Sequence, residues 1–139
     1  MSNTLNFETG LATFTVNGKA EVSFNPTDSN FVSRLFDAFG ELAKKQEVRK
    51  NKVSQLSDSE AYELAHQLDR EMRDAIDAVF EKPVSDDIFG SMSAYSLAGG
   101  LPLWCNFLMV VIDKIDATMV QEKKLTNPRI AKYMAKYHK

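Results

Sequence analysis

Residues 99–112 read GGLPLWCNFLMVVI, and between Leu101 and Ile112 the only polar side chain is Asn106. A helix opening at Pro102 is apolar on every face for about three turns. Such a helix is normally covered on all sides, by its own core or by another protein. In a chain of 139 residues few other elements remain to cover it. The rest of the fold is therefore a question of what wraps this segment.

Upstream, residues 11–24 read LATFTVNGKAEVSF, and Asn17-Gly18 is a strong hairpin signal. A two-residue turn would pair Val16 with Lys19 and mix apolar with polar side chains on both faces. A three-residue loop, Val16-Asn17-Gly18, sorts them. It pairs Thr15 with Lys19, Phe14 with Ala20 and Ala12 with Val22. One face is then Ala12, Phe14, Ala20, Val22 and Phe24; the other is Thr13, Thr15, Lys19, Glu21 and Ser23. Two strands alone are marginal in water, so they lie on helices or pair with another chain.

Asn25-Pro26-Thr27-Asp28 reads as a helix start with Asn25 as cap. Phe31, Leu35, Phe36, Phe39, Leu42 and Ala43 follow at helical spacing. Lys44 to Lys52 is rich in charge and reads as a solvated helix end and connector. It lacks the interleaved aromatics of a nucleic-acid surface. Ser57-Asp58-Ser59-Glu60 is a capping box, opening a helix that runs to about Phe80 before Pro83. Its apolar stripe is Ala61, Leu64, Ala65, Leu68, Met72, Ala75, Ile76 and Val79. Asp69, Arg70, Glu71, Arg73, Asp74 and Asp77 fall mostly on its flanks and outer side. Val84 to Gly90 reads as a turn entering a short helix. Ser91 to Gly100 is small and mixed, suited to close packing or a hinge. A last segment restarts at Asn127-Pro128.

These signals predict an α+β fold, predominantly helical: an N-terminal β-hairpin packed on about four or five α-helices. Residues 1–139 form a single domain. Within it, 1–10 are a flexible lead, 11–24 the hairpin, 25–126 a helical body and 127–139 a basic C-terminal helix or tail. Hydrophobic residues make up 44% and charged residues 26%, the balance of a soluble globular chain. The formal net charge of -2 argues against a general nucleic-acid binder. The Leu101–Ile112 run is too short to span a bilayer, and MSNTLNFETG lacks a signal-peptide layout. With Cys105 the single cysteine, no internal disulfide forms; the expected location is the cytoplasm.

Catalytic and cofactor motifs are not legible. Glu63 and His66 have the Glu-x-x-His spacing of carboxylate-bridged metal bundles, but only one such motif occurs and it faces away from the apolar stripe. Asp86-Asp87 is explained by a helix first turn. His138 sits beside the terminus, and Cys105 lies inside the apolar run as a small hydrophobe. No catalytic, cofactor-binding or metal residues are assigned, and the chain reads as a non-enzyme. What remains is protein interaction, for which the candidates are Phe14, Val22, Trp104, Phe107 and Leu108.

Residues 17–39, NGKAEVSFNPTDSNFVSRLFDAF, and residues 86–108, DDIFGSMSAYSLAGGLPLWCNFL, together resemble small tail-morphogenesis proteins of phages and prophages of Gram-positive bacteria. In particular the chain is similar to the tail assembly chaperone group over most of residues 11–120. The resemblance implies a non-enzymatic role in the host bacterial cytoplasm: binding the tape measure protein, tail tube subunits or both during assembly, with self-association. It carries no residue-level motif. Two alternatives stay open, a structural virion protein such as a tail completion or connector component, and a small host binding or regulatory module.

Overall fold

A computed structural model describes residues 3–137. β1 (Ala12–Val16) and β2 (Ala20–Phe24) form the antiparallel hairpin, followed by α1 (Ser29–Val53), α2 (Asp58–Phe80) and the short α3 (Ser85–Phe89). A second, two-residue-stranded hairpin follows, β3 (Leu97–Ala98) with β4 (Leu101–Pro102). The chain then enters α4 (Leu103–Tyr137). The α+β, predominantly helical fold is thus present, with four helices among the described residues.

The hairpin keeps the predicted faces but not the predicted register. Val16 pairs with Ala20, Phe14 with Val22, and Ala12 with Phe24. The loop has three residues as expected, but they are Asn17-Gly18-Lys19. Asn17 and Gly18 both adopt left-handed backbone, at φ 51° and 72°, and the Lys19 N–H closes the turn on the Val16 carbonyl at 3.1 Å. Relative to the predicted pairing every partner moves by two residues, so each side chain stays on its face. This register adds Val16 to the apolar side and aligns the Thr13 and Ser23 hydroxyls, which share a 2.8 Å hydrogen bond. β2 is the inner strand, with Ala20, Val22 and Phe24 buried, while the apolar side chains of β1 are half-buried.

Asn25 caps a turn rather than a helix. Its Oδ1 accepts from the Thr27 N–H and hydroxyl, both at 2.8 Å, and α1 begins at Ser29 with Asp28 as cap. Pro26 therefore falls before the helix, because the Asx turn satisfies the local N–H groups first. Ser57 caps α2 as predicted: its Oγ accepts from the Glu60 N–H and donates to the Glu60 carboxylate at 2.7 Å, which takes the cap hydroxyl rather than the cap N–H of a full capping box. The small-residue stretch packs closely at Ala94, which is fully buried, and ends in a tight turn. Gly99 and Gly100, at φ 62° and 84°, make the tip of the β3–β4 hairpin, a turn that glycine forms without steric cost. The Leu103 and Trp104 N–H groups then donate to the Ser96 and Ala94 carbonyls, tying the start of α4 to that hairpin.

The core is where β2, α1, α2, α3 and the first four turns of α4 meet. Phe24, Phe31 and Phe80 form its aromatic centre, with Phe24 stacked on Phe31 at 4.7 Å between ring centroids. Leu35, Met72, Ile76 and Leu108 are fully enclosed. Residues 127–137 do not form a separate element: α4 continues through Pro128. Proline costs one backbone hydrogen bond there and crowds the preceding turn, yet the helix runs on. Among the described residues no helix is long and apolar enough to cross a membrane.

Candidate protein-interaction site

The apolar segment is not covered on all sides. Trp104, Phe107, Leu108, Val111 and Ile115 point into the core, while Met109 and Val110 face out, Val110 at 67% exposure. Trp104 donates its indole N–H to Gln46 Oε1 at 3.0 Å and meets the Phe39 ring edge-on at 5.5 Å. Phe107 packs against Phe80 and Phe89 at 5.8 and 6.3 Å. Trp104 and Leu108 are therefore enclosed by their own chain.

Three of the five predicted residues converge elsewhere. Phe14, Val22 and Phe107 line a groove of about 650 Å³ between the apolar face of the β1–β2 hairpin and the first turns of α4, with Phe89, Met92 and Val110. Val22 and Phe107 form its floor, being buried, and Phe14 its half-exposed wall. Its charged lining residues are Lys19 and Lys114, and the Lys114 ammonium stands 5.5 Å from the Phe14 ring centroid. Asn106, the lone polar residue of the run, spends its amide donating to the Ala98 carbonyl at 2.9 Å. The groove is thus an apolar trough with a basic rim, a form suited to an extended or helical peptide. Outside the groove lining, burial pushes the Cys105 thiol pKa up.

A second surface is the far half of α4. Every residue from Val120 to Lys136 is exposed, about 25 Å of helix projecting from the body. Its apolar side chains are not scattered. Ile130, Tyr133 and Met134 lie within about 60° of Met119 around the helix, so they prolong the stripe that Val111 and Ile115 bury in the core. Lys123, Lys124, Arg129, Lys132 and Lys136 against Glu122 make this half basic.

One polar cluster escaped the reading of the sequence. Arg73, placed on the flank of α2, is 5% exposed. It donates to Asp69 Oδ2 at 3.1 Å, to Asp86 Oδ1 at 2.9 Å and to the Met92 carbonyl at 2.8 Å. Asp69 also accepts the Ala94 N–H at 2.7 Å, and Asp77 accepts those of Val84 and Ser85 at 2.9 and 2.8 Å. These residues pin the irregular segment from 84 to 94 onto α2. The only sequence signal was the four-residue spacing of Asp69 and Arg73, which fits an exposed pair equally well.

The remaining polar candidates stay dispersed. Glu63 and His66 are exposed on α2, Asp86 is engaged by Arg73 with Arg70 3.7 Å away, and His138 lies outside the described residues. Among the described residues no three His, Cys, Asp or Glu side chains cluster as metal ligands. Within the Lys44–Lys52 stretch, which continues α1, Arg49 lies over the Tyr95 ring at 4.8 Å. Desolvation raises the Tyr95 pKa; the Arg49 charge opposes it. No protein-family model, curated protein or solved structure matches the chain.

Proposed function

We propose that this protein is a tail assembly chaperone of a phage or prophage, holding the tape measure protein or tail tube subunits in the host cytoplasm before assembly. The observation that carries the reading is the projecting half of α4. An amphipathic helix with Ile130 and Met134 exposed, at 57% and 46%, is a ready partner for an amphipathic helical client. Methionine in that stripe suits a surface that adapts to several client faces. The sequence resemblance over residues 11–120 supplies the identity of the client class, and the legible motifs supply no competing chemistry.

Co-expression with the tape measure protein of the same tail gene cluster tests the proposal. The client should stay soluble and co-purify. The double variant Ile130→Asp/Met134→Asp should fold normally, because both side chains are solvated, and should lose the complex. A client that precipitates beside the wild-type protein, or that the variant holds equally well, overturns the reading.

A further inference from the structure

The chain carries an apolar segment to match its apolar groove. Residues 3–11 run without helix or strand, and Leu5 and Phe7 stand out from the body at 97% and 84% exposure. Two large apolar side chains at alternate positions of an extended segment face one way, the pattern of a strand with one buried side. Among the described residues none buries them. Residues 3–11 also do not line their own groove. Asn25 Nδ2 donates to the Thr9 carbonyl at 2.7 Å, and residues 8–10 sit beside Pro26, Thr118 and Glu122. Gly10 makes this exit possible: its φ is +72°, and a Cβ there would stand 2.6 Å from Asn25 Nδ2.

We propose that residues 3–9 of one copy dock in the β1–α4 groove of a second copy, laid along the open edge of β1. Three observations converge on this occupant. The β1–β2 sheet has two strands, and β1 is its outer, half-exposed one, so its edge can accept a third. A strand added there with its apolar side chains on the Phe14 and Val16 side places Leu5 and Phe7 over the groove. The charges also match. Glu8, alternating to the side opposite Leu5 and Phe7, is the only charged side chain between residues 3 and 11, and Lys19, in the β1–β2 loop, lines the groove at its rim. Seven extended residues reach roughly 23 Å, ample to follow β1 from end to end. The proposal is independent of the client reading: it uses the groove and the N-terminal segment, not the far half of α4.

Light scattering on size-separated protein at 10–200 µM, with circular dichroism to confirm folding, tests it. The wild-type chain should show at least twice its 15.6 kDa mass. Phe7→Asp and Val110→Asp both alter exposed side chains and should keep the fold. Each should weaken association on the order of 10–100-fold through lost apolar burial. Glu8→Lys should weaken it about fivefold. Mixing that variant with Lys19→Glu should restore assembly. A wild-type monomer across the range overturns the proposal, as does assembly that survives Phe7→Asp or Val110→Asp, or a charge-swapped mixture that fails to recover. Each of these outcomes leaves client solubility, the test of the chaperone reading, to be decided separately.

Discussion

At the scale of single residues, Arg73 is the most consequential side chain outside the apolar core. Its guanidinium is enclosed, with Asp69 21% exposed beside it and Asp86 67% exposed at its far end. The Asp86 contact is screened and adds little. The weight falls on Asp69 and the Met92 carbonyl, which would be left without their cation and donor. Arg73→Ala is expected to cost about 3 kcal/mol, read from the shift in a urea-denaturation midpoint. Arg73→Lys should recover only part of this, since an ammonium cannot span the three acceptors as the fork does. Periodicity could not single out this arginine. A flank position on a helix is solvated or buried according to what crosses it, and the segment that crosses α2 here is irregular.

At the scale of elements, local chemistry was legible wherever one short-range rule acted alone. The Ser57 cap and the faces of the β1–β2 hairpin follow from side-chain type and spacing. Where two local solutions competed, structure and sequence reading part. Asn25 could cap a helix or an Asx turn, and Asn17-Gly18 could fill either of two three-residue loops. The choice turned on Val16, whose burial over the groove favours the longer strand. Pro128 is the third such case. Its sequence signal is a restart, yet the helix continues through it. Pro128→Ala should restore the missing hydrogen bond and firm this part of α4 locally by up to about 3 kcal/mol. Slower amide exchange over residues 124–132, with an unchanged global unfolding midpoint, is the expected signature.

At the scale of the whole molecule, α4 serves two roles. Its first turns complete the core, and its far half contributes nothing to it. Every residue from Val120 to Lys136 is exposed, so a chain ending at Met119 should retain its stability to within about 0.5 kcal/mol. It should lose helical ellipticity in proportion to the residues removed, and on the chaperone reading it should release its client. A large loss of stability would mean that the far half folds against the body in solution. The five candidate interaction residues divide at this scale too. Trp104 and Leu108 are enclosed by their own chain, whereas Phe14, Val22 and Phe107 line an open groove. All five carry apolar bulk, and bulk alone does not say whether a side chain meets its own chain or a trough open to another.

The sequence by itself determined the fold class, the faces of the hairpin and the capping of α2. Each depends on side chains within a few positions of one another, where geometry is fixed by the backbone period. Tertiary structure alone decided that the 99–112 segment is covered on one side and open on the other. It also decided that Arg73 is enclosed, and that the stripe on α4 outruns the body that buries its first half. Burial is a property of what arrives from distant parts of the chain, and that depends on packing rather than on neighbouring residues.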